Sequence, residues 1–191
     1  MRERGFSLVE TVVVVAILMV LAAVFAPSLK AYAVDAHLLG AARQFKGQFL
    51  KARSTAVRSG VQTAIRFERR ADGVFFSVYA DGNRNGVLAA DIDRGVDTRI
   101  AGPFELNAGA PDVHVAINPG TPAIPPDAGV LGTDDPIRFG RSEMLSFSPI
   151  GTATPGTFYL AGVGQQAAVR VNPGSARVSL LTCRGGTWRE R

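Results

Sequence analysis

From Thr11 to Ala26 the chain carries no charged residue, and back to Phe6 the apolar run contains one ionisable side chain, Glu10. A bilayer core takes about 20 predominantly apolar residues in a helix, so residues 6–26 are long enough to span one. Beyond Pro27 the pattern becomes periodic. Leu29, Tyr32, Ala36, Leu39, Ala42, Phe45, Phe49, Ala52 and Ala56 recur at steps of three or four, which is the apolar stripe of an amphipathic helix. Lys30, His37, Gln44, Gln48, Lys51, Thr55 and Arg58 lie opposite. Gly60, with Arg58 in the last turn, reads as the stop. The pattern predicts one helix of roughly 50 residues, in the membrane for its first half and lying on a sheet in its second.

After Gly60 the period shortens. Residues 61–67 and 74–79 flank Ala71-Asp72-Gly73 and predict a hairpin. Further strands are expected at Arg99–Leu106, Asp112–Ile117, Pro136–Phe139, Met144–Phe147, Thr157–Ala161, Ala167–Val171 and Arg177–Leu181. The stretch from Asn118 to Asp135 is rich in glycine and proline and reads as a long, mobile loop. Residues 61–191 suffice for one domain, with no internal repeat. The expected class is α+β, with one long N-terminal helix packed on an antiparallel sheet.

Charge decides the orientation. Arg2 and Arg4 precede the apolar run, and the positive-inside tendency keeps that end in the cytoplasm and sends the rest across. A cleavable secretion signal competes with this reading, with a loose cleavage site in Leu21–Ala26. Against it, Glu10 sits inside the apolar segment, where a charge costs about 2.5–3.5 kcal/mol, and the helical pattern continues past the supposed cut. A carboxylate placed there needs a partner, and no Lys or Arg follows within two turns.

The run Gly5-Phe6-Ser7-Leu8-Val9-Glu10, with Pro27 further along the same apolar helix, resembles the class III signal of type IV pilins and type II secretion pseudopilins. The resemblance implies a leader of residues 1–5, a transmembrane and assembly helix over 6–27, its amphipathic continuation over 28–60 and an extracytoplasmic β-rich domain over 61–191. It implies cleavage between Gly5 and Phe6 by a prepilin peptidase and N-methylation of Phe6. Glu10 would pair with the Phe6 amine of a neighbouring subunit during assembly, and Pro27 would mark a kink or local melting. The implied partners are other major or minor pilins or pseudopilins and an inner-membrane assembly platform. The implied location is the bacterial inner membrane, as a single pass with the domain in the periplasm, and then the filament.

Within that group, residues 52–61, the loop Asp81-Gly82-Asn83-Arg84-Asn85-Gly86 and the stretch 145–151 resemble the GspH/FimT minor subunits. Some of these carry a Gly-Arg-x-Arg motif that binds DNA. Here Ser175-Ala176-Arg177-Val178-Ser179 keeps the first arginine and lacks the glycine and the second. Arg177, Arg184, Arg189 and Arg191 near Trp188, with a formal net charge of +5, are the candidate contacts to nucleic acid. The alternative is a solvated basic tail.

Asp81, Asn83, Asn85, Asp91 and Asp93 are candidate calcium ligands, since oxygen side chains alternate up to Gly86. Position twelve of such a loop is Ile92, so the register is imperfect, and a turn held by Asn and Asp side chains is the simpler reading. Beyond calcium no cofactor is expected. No enzymatic site is expected either, because neither His37 nor His114 has a nucleophile-and-base pattern nearby. The one cysteine, Cys183, cannot close an intramolecular disulfide, and is either buried or paired between chains.

Overall fold

The computed structural model describes residues 7–71, 73–106 and 112–191, with the side chains of residues 26–31 outside that description. Helix α1 runs without a break from Leu8 to Ser59, continuing through position 27. It stops at Gly60, whose φ of 68° is left-handed and whose N–H bonds to Ala56 O at 3.1 Å; glycine takes that conformation without a Cβ penalty.

Behind it come β1 (Thr63–Arg70), β2 (Gly73–Ala80), a short α2 (Ala89–Asp93), β3 (Thr98–Glu105), β4 (Ile137–Arg138), β5 (Met144–Phe147), β6 (Gly156–Gly162), β7 (Gln165–Val171), β8 (Val178–Arg184) and β9 (Thr187–Glu190). The strands form two sheets where one was expected, in the orders β3-β2-β1-β5 and β4-β6-β7-β8-β9. All the strand pairs are antiparallel. The β1–β2 hairpin pairs Thr63 with Ala80 and Arg70 with Gly73; Asp72 in its turn lies outside the described residues.

Helix α1 lies across both sheets and buries Leu38, Ala42, Phe45, Phe49, Ala52 and Ala56. The upper part of the expected stripe is therefore observed. Below it Tyr32 is 73% exposed and Ala36 is exposed with it, while Leu39 is partly buried against the core and the side chain of Leu29 lies outside the description. The fully buried line begins at Leu38, which faces Gly162. Rings from all three layers meet above the helix. Phe67 of β1 stacks on Phe158 of β6 at 5.5 Å and on Phe139 at 5.8 Å between centroids. Phe49 of α1 meets all three edge-on.

Three further expectations are corrected. Asp112–Ile117 is no strand and makes a single bridge, His114 to Ala161. The free edge of β6 is shared between β4, which takes Thr157 and Phe158, and His114, which takes Ala161, so neither segment has room to extend. The stretch 118–135 lacks strands, as expected, but is tied down. Asn118 N–H donates to Gln166 Oε1 at 2.8 Å and its Nδ2 to Gln165 O at 2.8 Å, while Ile117 and Ile124 are buried against Tyr159 and Ala168. Finally, the chain end is not a tail: β8 reaches Arg184 and turns at Gly185-Gly186, both at positive φ, into β9.

Phe49 is 1% exposed, and removing a buried ring of this kind costs about 3–5 kcal/mol. Phe49→Ala is expected to lower stability by that amount, read by denaturant unfolding of the full chain in detergent micelles. A change below about 0.5 kcal/mol, the size of a surface effect, would mean that the ring cluster does not join helix to sheets.

Candidate functional site

The first half of α1 offers a bare apolar surface. Leu8–Phe25 has a mean hydropathy of 2.8 and none of it is buried, so among the described residues one helix is long and apolar enough to cross a membrane. Glu10 lies in the first turn, where the N-terminal end of the helix dipole favours a carboxylate. Gly5 and Phe6 lie outside the described residues.

The loop after β2 brings Asp81, Asn83, Asn85 and Asp91 together, and leaves Asp93 out. Asp81 Oδ1 accepts the backbone N–H groups of Asn83 at 3.1 Å and Arg84 at 2.7 Å, and its Oδ2 accepts that of Gly86 at 2.8 Å. Asp91, on α2 and 1% exposed, accepts Nδ2 of Asn85 at 3.0 Å and of Asn83 at 3.3 Å, and its other oxygen faces Arg94. Asp93 instead pairs with Arg66 on β1 at 3.0 Å. The sequence reading missed Asp97, which is 2% exposed and accepts the N–H groups of Gly82 at 3.0 Å and Leu88 at 2.9 Å. These carboxylates face N–H donors from every side, which is the chemistry of a closed Asx-type loop. Among the described residues no group of three or more His, Cys, Asp or Glu is placed to hold a metal ion.

The C-terminal arginines divide. Arg177 pairs with Glu190 at 2.8 Å. Arg184 pairs with Asp35 on α1, which also accepts Gln165 Nε2. Arg189 and Arg191 are exposed. Trp188 is half-buried, donates Nε1–H to Pro122 O at 2.9 Å and meets Tyr159 edge-on, so its ring is part of the packing. His37 and His114 are exposed. Cys183 is buried, and burial pushes its thiol up.

Hydrogen bonds from Asn85, then Arg94, hold the Asp91 carboxyl below its ordinary value. A depressed carboxyl stabilises the fold above its unfolded pKa, about 3.9, and that contribution is lost as the pH falls through the lower folded value. The stability gap between the wild type and Asp91→Asn is therefore expected to narrow as the pH drops from about 5 towards 2, measured by thermal unfolding; a constant gap would count against it. Because the loop oxygens already accept hydrogen bonds, millimolar calcium is expected to leave the melting temperature unchanged, and a rise would show that the loop opens to bind it.

Two comparisons bear on this geometry. Residues 1–26 match the prokaryotic N-terminal methylation motif, and residues 41–175 match the model of type II transport protein GspH. No curated protein and no solved structure gives a significant match. The first match falls on the bare apolar half of α1, and the second runs from its packed half through both sheets to β7 and the turn beyond. The chain thus belongs to the type II transport protein GspH family and opens with the methylation motif of the pilins.

Proposed function

We propose that the chain is a minor pilin or pseudopilin, a structural subunit of a type IV pilus or type II secretion pseudopilus. It is held in the bacterial inner membrane by the first half of α1, with its N-terminus in the cytoplasm and its domain in the periplasm. A prepilin peptidase cuts between Gly5 and Phe6 and Phe6 is N-methylated. An inner-membrane assembly platform then moves the subunit among other pilins or pseudopilins. The observation that carries this reading is the single continuous helix. Its apolar first half is exposed over Leu8–Phe25 under a methylation motif, and its second half is packed on two sheets.

Physical chemistry supports the finer roles. An unpaired carboxylate at Glu10 is costly in lipid, and a neighbour's methylated Phe6 amine supplies the missing cation, so Glu10 favours the assembled state over the dispersed one. Pro27 lacks the N–H that would close a helical turn, which makes position 27 the place where α1 opens most easily inside a filament. Nucleic-acid contact is the second reading. It is the weaker one, because Arg177 and Arg184 are paired with Glu190 and Asp35 and Trp188 is engaged by Pro122, leaving Arg189 and Arg191 to carry it.

Co-expression with a prepilin peptidase tests the first reading. Mass spectrometry is expected to find a mature chain beginning at methylated Phe6, lost in Gly5→Ala and kept in Glu10→Ala, which is processed but fails to enter filaments. An intact Met1, or a cut near Ala23–Ala26, would overturn it.

A further inference from the structure

The second half of α1 has an outer face that no described residue covers. Opposite its buried line runs an exposed one, Gly40, Arg43, Gly47, Leu50, Ser54 and Val57, at alternating steps of three and four, the spacing of a helix that packs on another helix. Leu50 is 42% and Val57 52% exposed. A Cβ built on Gly40 or Gly47 meets nothing within 4 Å, so among the described residues no contact calls for glycine there. Mid-helix glycine is unfavourable relative to alanine, and its use is to let another backbone come close.

Charge selects the occupant. Between Leu38 and Gly60 the helix carries Arg43, Lys46, Lys51, Arg53 and Arg58 and no acidic residue. None of these cations forms a salt bridge among the described residues. The same face of a second copy would bring like charges together, which disfavours pairing. A second copy's domain offers little better. Of the described carboxylates after Gly60, seven sit in ion pairs of their own, Asp81 and Asp97 accept backbone N–H groups, and Glu105, Asp112 and Asp134 are left. Nucleic acid would meet the cations but would gain nothing from Leu50, Val57 and two bare glycines.

We propose that this face of α1, from Gly40 to Val57, docks a helix of a different subunit, one with small or apolar residues along its seam and carboxylates on its flanks. The surface rests on the subunit reading above and deepens it by naming the kind of partner. The glycines admit the partner's backbone, Leu50 and Val57 supply the apolar contact, and the flanking cations exclude self-pairing and fix which subunit fits.

The test uses the full chain in detergent micelles and labelled helical peptides: one with an alanine-leucine seam flanked by glutamates, its lysine-flanked counterpart, and a copy of residues 33–58 of this chain. A short single-stranded oligonucleotide is the fourth probe. The glutamate-flanked peptide is expected to bind about tenfold or more tighter than the other three. Gly47→Leu should weaken it by about tenfold with the circular dichroism unchanged. Gly47→Ala should raise the melting temperature, and the double change Arg43→Glu with Lys51→Glu should transfer the preference to the lysine peptide. Equal binding of the two charged peptides, equal binding of the self peptide, no effect of Gly47→Leu, or tightest binding of the oligonucleotide would each overturn the proposal. Correct processing at Gly5 alongside any of these results would leave the subunit reading standing and remove this surface alone.

Discussion

Phe67 is the point at which three layers become one domain. It comes from β1 in the first sheet, yet its ring stacks on Phe158 of β6 and on Phe139 just past β4, both from the second sheet's side, and Phe49 closes the group from the helix. Antiparallel sheets with one wet face need something to bury the other, and α1 is too narrow to cover both sheets unaided. The interleaved rings fix the sheets to each other and the helix to both, so the direction in which α1 leaves the domain follows from core packing.

Polar groups do a comparable task where apolar area runs out. The segment from Asp81 to Asp97 buries little that is large and apolar beyond Val87 and Ile92, which pack on Ala64 and Tyr79 of the sheet, and leaves Leu88 and Val96 exposed. Buried carboxylates take over, each accepting several backbone or amide N–H groups that would otherwise be unpaired. Gln166, 2% exposed, does the same from the side-chain amide, holding Asn118 N–H at one end and the Ala116 and Leu160 carbonyls at the other.

Much of this was legible in the residues. The long helix, its stop at Gly60 and its packed stripe from Ala42 to Ala56 came directly from the period, because one face is buried. The β1–β2 hairpin and the cores of β5 to β8 came from alternation. What stayed hidden was non-local. No local signal at Asp112–Ile117 tells that its partner edge on β6 is already half occupied. Asp97 became a loop-holding residue through backbone donors from Gly82 and Leu88, distant in sequence. One feature was readable and passed over: Gly185-Gly186 between Cys183 and Trp188 is a two-residue hairpin signal, masked by the weight of arginines around it. Position along the helix was the other gap, since periodicity gives a face but not the height at which the domain begins.

That height has a mechanical meaning. The apolar window ends at Phe25, and among the described residues the lowest side-chain tie between helix and domain joins Asp35 to Arg184 and Gln165. At the rise of an α-helix the interval is about 15 Å. On the proposed membrane reading, a short neck of helix therefore separates the end of the apolar window from that tie, so the anchor and the domain are joined by α1 alone over this interval.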